Sequence, residues 1–161
     1  MTLPDFLLKD FIASEYRTIS IDNLYVGVVS GTNNRIVYKQ IFDTPHYIFV
    51  KSKINVDYDY NESNQNTSYK AYSDNNAHAC SEDNFIELIT KIKDQDYDWQ
   101  NSPILVFKHW SKLIPFNRWY VADGFHRLAI LAALNKRNIK VHTLKYKLNI
   151  FQRFLKRVKN I

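Results

Sequence analysis

Apolar positions along this chain change their spacing several times, and each change predicts an element. Leu24–Val29 and Arg35–Gln40 are rich in Val, Ile and Tyr, and Ser30-Gly31-Thr32-Asn33-Asn34 lies between them. That order predicts a β-hairpin. Tyr47–Val50, after Pro45, predicts a third short strand. Residues 57–79 are polar without a period, which predicts a long loop, a type usually functional or mobile. Ser81 then caps a helix whose first turn holds Glu82 and Asp83, with Phe85, Leu88, Ile89 and Ile92 at helical spacing. Pro103–Phe107 and Trp119–Ala122 predict strands separated by an irregular stretch around Pro115. A helix follows from Phe125 to Asn135, with Leu128, Leu131, Ala132 and Asn135 on its apolar face. Ile139–Leu144 predicts a last strand, and Asn149–Val158 a basic amphipathic helix. No internal repeat or domain boundary interrupts residues 1–161.

Composition narrows the class. Of 161 residues, 45% are hydrophobic and 24% charged, and the three Trp, 11 Tyr and 10 Phe supply aromatic area for a core. Three Gly and four Pro argue against many short strands joined by tight turns. One cysteine, Cys80, excludes an intramolecular disulfide and suits a cytosolic protein with an inert thiol. The N-terminus lacks the pattern of a signal peptide, and the runs Ile104–Phe107 and Leu128–Leu134 fall far short of the ~20 residues that cross a bilayer. The expectation is a soluble, cytoplasmic protein.

Charge is unevenly placed. Net charge is +6, yet nine bases and no acid lie from Leu134 onward, so the 13 bases and 16 acids before it net −3. The positive field belongs to the tail. A basic amphipathic helix over about 147–161 either packs on this domain, docks an acidic partner, lies on the inner face of an anionic membrane, or, less favoured, binds nucleic acid.

One segment concentrates chemistry: Trp119-Tyr120-Val121-Ala122-Asp123-Gly124-Phe125-His126-Arg127-Leu128-Ala129. A strand ends in Asp-Gly, and a helix opens with His and Arg in its first turn. The first N–H groups of a helix have no intrahelical partner and sit at the positive end of its dipole, which makes an anion site. Gly124 allows close backbone approach. Arg127 offers a planar fork to phosphate, and His126 a second donor or a metal ligand. The plainer alternative is that Asp123 caps the helix while His126 and Arg127 are solvated. Two cations there would oppose the dipole and require an anion or an acidic neighbour.

Asp123-Gly124-Phe125-His126-Arg127 resembles the DGxHR signature of the ParB/sulfiredoxin superfamily. The helix with Phe85, Leu88, Ile89, Ile92 and Lys93, the stretch Pro103-Ile104-Leu105-Val106, and Leu134-Asn135-Lys136 with Ile139-Lys140-Val141 resemble its flanking elements in order. The likeness covers about 81–144. Phe125 stands where sulfiredoxins place their catalytic cysteine, which disfavours sulfinic-acid reduction. The partition proteins' Gly-Glu-Arg-Arg motif is absent, and the 34 residues after Arg127 are too few for their helix-turn-helix module. The free-serine-kinase branch, with Asp-Gly-His-His-Arg, is the most similar, and Phe125 departs from it at one position.

The resemblance implies a single α/β (α+β) domain of ParB/sulfiredoxin type, with helices packed on a small mixed sheet. It also implies an ATP-dependent phosphotransferase acting on a hydroxyl of a small molecule or glycan, with ATP or CTP and Mg²⁺ as cofactors. In that role Gly124, Phe125, His126 and Arg127 hold phosphates, and Ser81 contacts the nucleotide. Asp123 and His126 are the catalytic candidates, Asp123 orienting the acceptor or helping to hold Mg²⁺. A nucleotide-binding switch that engages DNA or a protein partner is the alternative, and a ParB-like nuclease ranks last. His46, Lys70 and Tyr72 are candidates for a substrate pocket, against the plainer reading of solvated loop residues. His109-Trp110 reads as a packed aromatic turn. Asp94, Asp96 and Asp98 lack the Gly and closing Glu of a calcium loop.

Overall fold

In the computed structural model, residues 7, 9–30, 35–54, 69–74, 80–108 and 118–147 are described. Among them the chain is a mixed α/β (α+β) structure with one six-stranded sheet. The strands are β1 (Phe11–Ser20), β2 (Leu24–Ser30), β3 (Arg35–Gln40), β4 (Leu105–Phe107), β5 (Trp119–Asp123) and β6 (Asn138–Tyr146). Their order across the sheet is β1-β6-β4-β5-β2-β3. The β1–β6, β4–β5 and β2–β3 pairs are antiparallel, whereas β4–β6 and β2–β5 are parallel. The helices are α1 (Pro45–Ile54), α2 (Tyr69–Asp74), α3 (Glu82–Gln95) and α4 (Phe125–Ala133). None is long and apolar enough to cross a membrane.

Alternation along the strands decides where the core sits. Leu24 and Val26 of β2, Val121 of β5, Val106 of β4 and Val141 of β6 are buried with Phe49 and Val50 of α1, Phe85, Ile89 and Ile92 of α3, and Leu128–Ala133 of α4. Residues one step out of phase on those strands turn to the opposite face, where Leu105 and Leu144 join Leu7 and Phe11 in a smaller cluster. At the outer edge, Ile36, Val37 and Tyr38 of β3 are exposed.

Two predicted elements change type or appear anew. Tyr47–Val50 is not a strand but the middle of α1. Pro45 occupies the first helical position, where its missing N–H costs nothing, and the Tyr47 N–H donates to the Thr44 hydroxyl at 3.3 Å. Proline before an apolar quartet therefore opened a helix where periodicity suggested a strand. Within the polar 57–79 stretch, Tyr69–Asp74 forms α2, so that part is not loop. Strand β1 was given by no sequence signal. Of its ten residues only Phe11 and Ile19 are buried, the pattern of a sheet edge.

The helix expected after Ser81 holds, and the helix expected from Phe125 holds except at its end. The Asn84 N–H donates to the Ser81 hydroxyl, so Ser81 caps α3, and Phe85, Ile89 and Ile92 are buried from that helix. Helix α4 buries Leu128, Leu131 and Ala132. Asn135, however, lies beyond it and is exposed, not on an apolar face. It adopts φ 58°, while the Lys136 N–H donates to the Leu131 carbonyl and the Asn135 N–H to that of Ala132. This is a Schellman termination, in which Asn tolerates the left-handed backbone that stops the helix. The hairpin turn at 31–34, the rest of the 57–79 stretch, His109-Trp110, the segment around Pro115 and the basic helix at 149–158 lie outside the described residues.

Candidate functional site

The site forms where β5 runs into α4. Leu105 of β4 opposes Asp123 of β5 in the sheet, which sets Ile104 beside the turn. Gly124 makes that turn at φ 94°, a conformation that side-chain-bearing residues avoid. A Cβ there would stand 3.1 Å from the Cα and the Cγ1 of Ile104, and 3.1 Å from the Arg127 guanidinium. The glycine is thus required both by conformation and by close approach. Gly124, not Asp123, is the capping residue, and no side chain caps the helix. The capping role weighed for Asp123 therefore does not hold.

Arg127 turns toward β4. Its guanidinium donates to the Ser102 hydroxyl and, through Nη2, to Asp123 Oδ2 at 3.1 Å. Nearby, the Tyr97 hydroxyl accepts the Ile104 N–H at 2.7 Å, which fixes the backbone just before β4. Asp123 is thus the acidic neighbour that a cation in this turn requires. Its side chain is 40% exposed and that of Arg127 19%, so the pair opens to solvent on the carboxylate side.

His126 turns the other way, into an aromatic cage. Its ring lies 4.6 Å from Phe85 of α3 and 4.8 Å from His46 of α1, centre to centre. Its Nε2 is 2.7 Å from the Tyr69 hydroxyl of α2. That hydroxyl also donates to the Cys80 carbonyl at 2.8 Å and lies 3.4 Å from the Cys80 Sγ. Burial pulls the His126 pKa down to about 4, helped by the Arg127 charge and opposed by Asp123. The expectation of two cations in the first turn fails here, because His126 is neutral at pH 7.

His46 is buried and Tyr72 half-buried, so neither has the solvated setting considered for them, whereas Lys70 does. His46 is in helix α1, 2% exposed, with its ring 4.5 Å from Tyr72 and 5.4 Å from Tyr69. Among the described residues, neither of its ring nitrogens has a hydrogen-bond partner. Burial first, then proximity to His126, lowers its pKa to about 3. Lys70 is exposed on the rim of a pocket of about 420 Å³, shared with Ser73, Asp74, Cys80, Ser81 and Glu82. Burial together with the Cys80 contact holds the Tyr69 hydroxyl protonated, far above the ordinary tyrosine range.

Residues predicted separately are therefore joined. Ser81 at the start of α3 and His126 at the start of α4 are linked through Cys80 and the Tyr69 hydroxyl, beside the Lys70 pocket. Phe125 is half-buried, with its ring 6.3 Å from that of His46. Asp123 and Arg127 face a different set, Ser102 and Tyr97, which sequence reasoning did not connect to the motif. Their sequence signal was position: Ser102 immediately precedes the Pro103-Ile104 stretch that accompanies the motif, and Tyr97 lies six residues before Pro103.

Among the described residues, no three His, Cys, Asp or Glu side chains gather into a metal site. A single half-exposed carboxylate, Asp123, fits a magnesium ion that keeps most of its ligands from phosphate and water. Searches against protein-family models, curated proteins and solved structures returned no match to this chain.

Proposed function

We propose that the chain is a phosphotransferase of ParB/sulfiredoxin type, moving a phosphoryl group from ATP or CTP to a hydroxyl of a small molecule or glycan. The observation that carries this reading is that the Tyr69 hydroxyl joins the Cys80 carbonyl, just before the Ser81 cap of α3, to His126 in the first turn of α4, beside a pocket edged by Lys70 and Ser81. Helix N-termini offer unpaired N–H groups and a positive dipole to phosphate oxygens. Arg127 is already oriented by Ser102 and Asp123, so little side-chain freedom remains to be lost when it meets an anion.

Phosphoryl transfer asks the protein chiefly to position groups and to neutralise charge. Arg127 and the α4 amides hold phosphates, and the Gly124 turn brings backbone close to them. Asp123 orients the acceptor or shares a magnesium ion, which supplies charge neutralisation at the phosphates when bound. Lys70 edges the acceptor side, and Tyr72 packs behind it on His46. His46 is sealed in the cage and supports His126 without touching substrate.

The test is calorimetric titration of the full chain with ATP and with CTP in Mg²⁺, alongside transfer assays on pooled hydroxyl acceptors. Arg127→Ala lowers nucleotide affinity ten- to a hundredfold, about 1.5–3 kcal/mol, and Arg127→Lys recovers part of it. Asp123→Asn frees Arg127 of its internal partner, so binding holds or tightens while turnover falls about a hundredfold. If Arg127→Ala binds both nucleotides as the parent does, the phosphate site is misplaced and the reading fails. Binding without turnover for any acceptor identifies a nucleotide-binding module in its place.

A further inference from the structure

We infer that Tyr69 is a positioning residue that holds His126 as its Nε2–H tautomer and leaves Nδ1 as the proton acceptor of the site. The inference rests on the phosphotransferase reading and adds a residue and an atom to it.

The argument is a count of hydrogens. A tyrosine hydroxyl has one proton to donate and lone pairs to accept with. A carbonyl oxygen can only accept. The Tyr69 hydroxyl lies 2.8 Å from the Cys80 carbonyl, so its proton is committed there. The same oxygen is 2.7 Å from His126 Nε2, a full hydrogen bond that also needs one proton. Only the imidazole can supply it, so Nε2 carries hydrogen and donates. The second Tyr69 neighbour, Cys80 Sγ at 3.4 Å, is a weak partner and leaves this assignment unchanged.

In a neutral imidazole, a protonated Nε2 leaves Nδ1 with the lone pair. His126 therefore does not spend a donor on phosphate, as the motif alone suggested. In the proposed reaction the acceptor oxygen bonds to the γ-phosphorus as the bridging P–O bond breaks onto the nucleoside diphosphate. The acceptor's proton then goes to Nδ1. Two features keep the arrangement in place. The Cys80 carbonyl belongs to the residue just before the Ser81 cap of α3, so it is fixed by that helix start. Tyr69 itself is fully buried against Phe49 and Phe85.

The experiment records long-range ¹H–¹⁵N correlations of the histidine rings in the ¹⁵N-labelled full chain at pH 7. The five histidines are sorted by a His126→Gln variant. Expected for the parent is a protonated-nitrogen signal at Nε2 of His126 and a lone-pair signal at Nδ1. In Tyr69→Phe the ring shifts toward the other tautomer. A parent spectrum with the proton on Nδ1 overturns the inference, and this holds even where Tyr69→Phe does not fold. With an acceptor in hand, Tyr69→Phe lowers kcat tenfold or more and leaves the nucleotide Kd within about twofold. An unchanged kcat, or a weakened Kd alone, also overturns it. Loss of all nucleotide binding by the parent, with the Nε2–H signal intact, sinks the phosphotransferase reading and not the tautomer.

Discussion

His126 and Arg127 are neighbours in sequence and opposites in setting. Arg127 keeps its charge because Ser102 and Asp123 answer it at a rim open to water. His126 loses its charge because Phe85, His46 and Tyr69 enclose it, and the Tyr69 hydroxyl is its hydrogen-bond partner there. One turn of helix thus divides a charged pair open to water from a neutral, enclosed ring. The lesson is that residue type in a motif does not set its electrostatic role; the elements that close around it do.

The largest expected effect comes from breaking the aromatic side. Phe85 is fully buried against Tyr69, Phe49 and His126. Phe85→Ala costs about 3–5 kcal/mol of stability by urea denaturation. If the aromatic side were a loose surface cluster, the loss would stay within about 0.5 kcal/mol.

Acid sharpens the contrast next. His46 and His126 have native pKa values of about 3 and 4, below the ordinary 6.5 that they regain on unfolding. The unfolded chain therefore binds more protons below pH 6.5. Stability is complete above that pH and falls as pH drops through the window between 6.5 and the native values. By pH 5 each histidine contributes a loss of order 1–2 kcal/mol. Denaturation midpoints at pH 7 and pH 5 measure it, and His46→Phe flattens the dependence. A midpoint equal at both pH values contradicts a neutral cage.

The polar side is broken most gently through its turn. Gly124→Ala forces a side chain into φ 94° and against Ile104, for a cost of about 1–3 kcal/mol. Because the new Cβ also faces the Arg127 guanidinium, the proposed phosphate site predicts that nucleotide affinity falls along with stability, whereas a purely structural turn leaves affinity unchanged.

Much of this arrangement could be read from the chain before any coordinates. Ser81 with two acids and four spaced apolar residues specified α3, and Asp123-Gly124 marked the turn from β5 into α4. Local signals sufficed there because capping and amphipathic spacing act within a few residues. Helix α1 was misread, because Tyr47–Val50 suits either element and only burial against α4 decides between them. The Tyr69 bond to His126 spans 57 positions and starts in a stretch without periodicity, so no local rule could find it. The neutrality of His126 was equally hidden, since desolvation is a property of packed neighbours and not of the first helical turn.

The pairing of β1 has a consequence for how the molecule is made. Among the described strands β1 neighbours only β6, with Phe11 opposite Tyr146. A chain synthesised at ~5–20 residues per second therefore emerges with β1 unmatched for on the order of ten seconds. Closing so distant a contact is slow compared with forming α3 or the β2–β3 ribbon. Within β1, Ile12 and Tyr16 stay half exposed even after pairing, while Glu15 and Arg17 on the same strand form an ion pair. Those two charges are the kind that keep a waiting strand from pairing with another nascent chain.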